Sequence, residues 1–132
     1  MTNRRAFLAL SLSLAAFVAA PRLEAAMTEK FTTAAFEKAK AAGPVLVKVT
    51  APWCPTCKAQ APILSELTGQ AKFKQLTVLD VDFDSQKDVL KTLGVNMQST
   101  LIVYSHGKEV GRSTGDTSKA SIEALLSKSM AM

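Results

Sequence analysis

Cys54 and Cys57 are the only cysteines in this 132-residue chain, and Pro55 and Thr56 alone separate them in the run Ala51-Pro52-Trp53-Cys54-Pro55-Thr56-Cys57-Lys58. A helix that starts at the first cysteine brings both sulfurs within bonding reach. Its N-terminal dipole and unpaired N–H groups stabilise a thiolate. A thiol whose ordinary pKa is about 8.5 then becomes a nucleophile near neutral pH, which is the requirement for thiol–disulfide exchange. Other uses of the pair fit less well. A four-ligand zinc site needs a second Cys or His pair, and the remaining ligand of those types is His106 alone. Haem attachment needs a histidine directly after Cys57, where Lys58 stands. An inert staple closing so small a loop restrains the unfolded chain little.

The elements around the pair are the ones such a site needs. Val45 to Thr50 is apolar and β-branched apart from Lys48, and its length suits a buried central strand that ends just before the cysteines. From Cys54 to about Phe73 the pattern is helical, with Ile63, Leu64 and Leu67 on one side and Pro62 as a kink. Upstream, Phe31 to Ala42 is expected to be a helix closed by Gly43-Pro44. Downstream, Leu76 to Phe83 reads as a strand and Ser85 to Leu93 as a short helix ending at Gly94. A hairpin, Thr100 to Tyr104 and Glu109 to Ser113, is expected around Ser105-His106-Gly107-Lys108, with His106 exposed in its turn. Ser118 to Met130 closes the chain as a helix.

Residues 1–26 read as an export signal: Arg4 and Arg5, an uncharged run from Ala6 to Ala20, then small residues before Met27. Asn3-Arg4-Arg5-Ala6-Phe7-Leu8 looks like a twin-arginine signal, and a general secretory signal carries the same features. Residues 27–132 then form one compact domain with one core. Without the leader the formal charge drops from +5 to +3, with 13 basic residues facing 10 acidic ones. The lysines are scattered among Glu and Asp without interleaved aromatics, so nucleic-acid binding is not expected. Met27, Met97, Met130 and Met132 form no stripe that could bind copper, and Met97 is assigned to local packing or a partner groove.

The order helix, strand, helix, strand, helix, strand, strand, helix resembles the thioredoxin fold, an α/β fold with a central mixed sheet flanked by helices. Trp53-Cys54-Pro55-Thr56-Cys57-Lys58 matches that family's W-C-x-x-C-K, Pro62 matches its kink proline, and Gly94-Val95 and Gly115 fall at its spacings. The resemblance implies that Cys54 is the attacking thiolate on the exposed side of the turn and Cys57 the resolving thiol. Trp53, adjacent to the pair, either covers the active-site edge and shields the disulfide or simply packs there. Pro55 and Thr56 either tune the sulfurs or serve only as good helix-start residues.

Two positions depart from the family pattern. Where it has Ile-Pro-Thr with a cis proline in the substrate groove, this chain has Gln98-Ser99-Thr100, and the Gln98–Ser99 bond is expected to be trans. Where thioredoxins bury an Asp before the first cysteine and place a Lys opposite it, this chain has Lys48 and Asp80: either a pair of reversed polarity beneath the disulfide, with the ammonium favouring the Cys57 thiolate, or a Lys48 that reaches the surface unpaired.

These readings converge on an exported, monomeric thiol–disulfide oxidoreductase that reduces protein disulfides in the periplasm. Its redox group is the Cys54–Cys57 disulfide itself, with no bound cofactor and no resident metal, and its electrons come from a membrane thiol relay. The alternatives are a periplasmic dithiol oxidant, or a module that holds a partner or a metal through the dithiol without turnover.

Overall fold

The computed structural model describes residues 28–131, so the expected leader, its twin-arginine pattern and its cleavage point lie outside the described residues. Ten elements follow one another. They are β1 (Thr28–Lys30), α1 (Thr33–Ala42), β2 (Val45–Thr50), α2 (Pro55–Thr68), a 3-10 turn (Ala71–Phe73), β3 (Thr77–Asp82), α3 (Lys87–Leu93), β4 (Thr100–Ser105), β5 (Lys108–Thr114) and α4 (Lys119–Ser129). The five strands make one mixed sheet in the order β1-β3-β2-β4-β5. β3 runs parallel to both β1 and β2, whereas β4 is antiparallel to β2 and to β5.

β2 lies at the centre, wholly apolar on the face of Val45, Val47 and Val49 and apolar at Leu46 on the other, where Lys48 and Thr50 follow. Val45, Val47 and Val49 join Leu79, Val81 and Ile102 against Phe36 of α1 and Leu90 of α3. Leu46 faces the other way, with Val78, Leu101 and Val103, against Leu64 and Leu67 of α2 and Ile122 and Leu126 of α4. Each such side chain taken fully out of water contributes roughly 1.5–3 kcal/mol, so the two layers hold the sheet from both sides. α4 comes close over β5 at Gly111, where a Cβ would lie 2.9 Å from Leu125 Cδ1.

The structure corrects several sequence boundaries. The first helix begins at Thr33 rather than Phe31: Thr32 caps it by accepting the Ala35 N–H at 3.0 Å. Phe31 instead donates its N–H to the Asp80 carbonyl at 2.8 Å, extending β1, and its ring packs in the core. β1 itself was not expected, because an exposed Thr-Glu-Lys edge has no hydrophobic alternation to read. The helix after Cys57 stops at Thr68, and Phe73 belongs to the separate 3-10 turn. The hairpin is tighter than expected. His106 (φ 51°) and Gly107 (φ 78°) both take the left-handed conformation that a two-residue turn between twisted strands requires, and His106 is exposed.

Candidate active site

β2 delivers the chain to the site and α2 begins there. Cys54 is the residue that caps α2: its backbone is extended, Pro55 occupies the first turn, and its sulfur accepts the Cys57 N–H at 3.1 Å. Pro55 fits because its missing N–H is one that a helix start leaves unpaired. Pro62 sits inside α2 without ending it. Cys54 and Cys57 are joined in a disulfide, with their Cα atoms 5.3 Å apart.

Burial differs from the expectation of an exposed Cys54. Cys54 is 0% exposed and Cys57 7%, with Ala51 and Phe83 packed around them. The capping bond turns the Cys54 sulfur inward over the helix start. Hydrogen bonding, not exposure, therefore separates the two sulfurs. Cys54 Sγ faces an N–H donor, which favours a thiolate. Cys57 Sγ faces the Val49 carbonyl oxygen at 3.9 Å, an acceptor that favours a protonated thiol once the disulfide is reduced. The arrangement suits attack by Cys54 and resolution by Cys57.

Trp53 stands beside the disulfide, 54% exposed. Its indole Nε1 donates to both carboxylate oxygens of Asp84, at 2.9 and 3.2 Å, and its ring meets Phe83 edge-on at 6.2 Å. Asp84, the residue that tethers the indole, lies on the loop after β3 and carries no sequence signal of this role. Met97 is exposed, not packed in the core. Thr56 is half-buried between the cysteines.

Lys48 and Asp80 are register partners on β2 and β3, and Lys48 Nζ lies 3.7 Å from Asp80 Oδ2. They share the sheet face that carries α2, since Leu46, two residues before Lys48, packs on Leu64 and Leu67. Thr50 donates its hydroxyl to Asp80 Oδ1 at 2.6 Å. Nearby, the Asp82 carboxyl is held below the usual carboxylate range, chiefly by the Asp84 N–H and then by the Ser85 hydroxyl.

Ser99 lies on the loop before β4, and every described peptide bond, Gln98–Ser99 included, is trans. Its φ is +57°, a left-handed conformation uncommon outside glycine. Ser99 donates its N–H to the Val49 carbonyl at 2.8 Å and its hydroxyl to Gln98 O at 2.6 Å, while its own carbonyl accepts the Gly115 N–H at 3.0 Å. Thr100 is buried, and its hydroxyl donates to Met97 O at 2.8 Å and meets Thr114 Oγ1 at 3.0 Å. Both residues are buried. Sequence reasoning missed Gln60, a buried polar residue one turn beyond Cys57. Its signal was a polar residue among the inward-facing positions Cys57, Gln60, Leu64 and Leu67 of α2.

The thioredoxin family model matches residues 27–128. The chain belongs to the thioredoxin family. Among its relatives, thioredoxin of Chlamydia muridarum is 38% identical over 93 residues, covering 70% of this chain and 89% of that protein. Thioredoxin of Bacillus subtilis is 33% identical over 99 residues, covering 75% and 94%. Among solved structures, Trxlp from Edwardsiella tarda is similar with a TM-score of 0.74 and 44% identity over 76% of this chain and 98% of that one. The protein is thus a thiol–disulfide oxidoreductase of the thioredoxin type. Thioredoxins act on protein disulfides, and the Cys54–Cys57 pair is where this one does so.

Proposed function

We propose that this thioredoxin is an exported reductant of protein disulfides, recharged by a membrane thiol relay. The observation that carries the direction is the neutral donor on Cys54 Sγ. The dipeptide between the sulfurs is Pro55-Thr56, and the hydrogen bond onto Cys54 Sγ comes from a neutral peptide N–H at 3.1 Å. A strong dithiol oxidant needs a heavily stabilised reduced form, and a neutral donor supplies about half of what a charged one would. Weaker stabilisation of the thiolate leaves the disulfide favoured and the dithiol a good electron donor.

In that direction, the Cys54 thiolate attacks one sulfur of the substrate disulfide, the substrate S–S bond breaks, and the departing thiolate takes a proton. Cys57 then loses its proton and attacks Cys54 Sγ, which releases the second substrate thiol and closes the internal disulfide. Two electrons pass from the dithiol to the substrate for each cycle. Export is supported by the leader-like pattern of residues 1–26, and the membrane relay follows from that compartment, where soluble nicotinamide reductants are absent.

Equilibration of the leaderless domain with glutathione, followed by fluorescence of Trp53, the sole tryptophan, measures the direction. A potential near about −270 mV is expected, and one near about −120 mV would make the protein an oxidant. Fractionation of cells producing the full chain tests export: the product should leave the cytoplasm shortened by its leader, and retention at full length refutes that part.

A further inference from the structure

Gln60 joins three segments around the disulfide. It is 2% exposed, on the inner face of α2 one turn after Cys57. Its side-chain amide donates to two backbone carbonyls, Ser99 O at 3.2 Å and Asp116 O at 2.8 Å. Asp116 is itself fixed to the start of α4, accepting the Ser118 N–H at 2.9 Å and the Ser121 hydroxyl. Ser99 closes the circuit back to the redox pair, because its N–H and Cys57 Sγ converge on the same Val49 carbonyl.

An amide at this position needs a reason. The neighbouring inward positions of α2 are Leu64 and Leu67, and an apolar side chain would continue that stripe without the cost of desolvating a carboxamide. The amide is retained with its two donor hydrogens spent on carbonyls. One of those carbonyls belongs to a serine held in a left-handed conformation, and strain of that kind persists only where the surroundings over-determine it. The strained residue ends the segment that presents Met97, 53% exposed, to solvent on the loop beside the disulfide.

We propose that Gln60 is a positioning residue for peptide substrates: its buried amide locks the Met97–Thr100 loop in the conformation against which a substrate strand must lie for its disulfide to reach Cys54. The proposal rests on the thiol–disulfide activity alone, not on its direction or compartment. Gln60 touches neither sulfur through its side chain, so the chemistry at the sulfurs is not what it controls. Its effect falls on substrates long enough to meet the loop and spares disulfides too small to do so.

The test compares Gln60→Leu with the unaltered protein on two substrates, a fluorogenic disulfide-linked peptide and bis(hydroxyethyl) disulfide. Loss of the clamp should raise KM for the peptide about tenfold, the scale of one lost hydrogen bond, while kcat stays within about twofold. The rate with bis(hydroxyethyl) disulfide and the reduction potential should stay unchanged. Equal losses on both substrates, or an unchanged KM for the peptide, would overturn the proposal and leave Gln60 a structural residue. Gln60→Met, unbranched and more easily packed, is measured in the same way should the leucine variant fail to fold.

Discussion

The Ser99 N–H donates to the Val49 carbonyl at 2.8 Å, and that carbonyl also faces Cys57 Sγ at 3.9 Å. One backbone oxygen of β2 thus orients the resolving sulfur and anchors the loop beside it. A proline could not take over what Ser99 does here. Proline has no N–H to give Val49 and holds φ near −65°, whereas Ser99 sits at +57°.

Ser99→Pro should therefore destabilise the domain by about 2–4 kcal/mol, combining a lost buried hydrogen bond with an incompatible backbone. In thermal unfolding this corresponds to a Tm fall of about 10 °C or more for a domain of this size. Ser99→Gly, which accepts positive φ freely, should stay within about 1 kcal/mol of the natural protein. A proline variant as stable as the glycine variant would contradict the anchoring role.

The unequal surroundings of the two sulfurs predict unequal variants. With the Cys57 N–H aimed at Cys54 Sγ and a carbonyl facing Cys57 Sγ, Cys54 is expected to be the attacking sulfur. Cys57→Ser should accumulate mixed disulfides with peptide substrates through Cys54, because the resolving step is gone. Cys54→Ser should form them slowly or not at all. Intact-mass spectra taken over a time course distinguish the two, and adducts appearing equally fast on both variants would reverse or abolish the assignment.

Lys48 and Asp80 form a partly exposed ion pair, with side chains 20% and 33% accessible, so its direct contribution to stability is small, below about 1 kcal/mol. Its influence should also reach the redox pair, since both residues lie on the sheet face that supports α2. Lys48→Met removes the cation of the pair, and a thiolate that loses a nearby cation costs more to form. The reduction potential should fall by roughly 10–20 mV, the equivalent of a fraction of a kcal/mol, while Tm changes by only a few degrees. An unchanged potential would reduce the pair to a surface contact.

How much of this could be read from the sequence depended on the range of the interactions. The redox turn was legible because everything that makes it is local: Cys54, Pro55 and Cys57 set the helix start within four positions, and the apolar run Val45 to Val49 places them at the end of a central strand. The reversed charge pair was legible through the family pattern, and the sheet then made Lys48 and Asp80 register partners. The Gln60 clamp was not, because its partners lie 39 and 56 residues away and are backbone carbonyls, which carry no signature in side-chain identity. Cys54 was expected on the open side of its turn. Its burial comes from the capping bond together with Phe83 and Ala51, a packing result that spacing alone does not encode.

Tyr104 predicts the alkaline limit of the fold. It is the sole tyrosine of the chain, 8% exposed on β4, with its ring edge-on to Phe36 at 4.9 Å. Burial raises its pKa above the ordinary value, Glu109 raises it further, and Arg112 opposes them. The unfolded chain ionises this phenol at about pH 10, before the folded one does. Stability from the neutral phenol is therefore complete below that pH and is lost as pH rises through the folded pKa. Tyr104→Phe keeps the ring against Phe36 and removes the titration. Urea midpoints measured from about pH 8 to 11 should fall more steeply above pH 10 for the natural protein than for the phenylalanine variant. Because no other tyrosine absorbs, tyrosinate absorbance under native conditions gives the folded titration directly. A folded curve centred at the ordinary value, or parallel urea profiles for the two proteins, would show that the phenol is solvated and that the alkaline limit is set elsewhere.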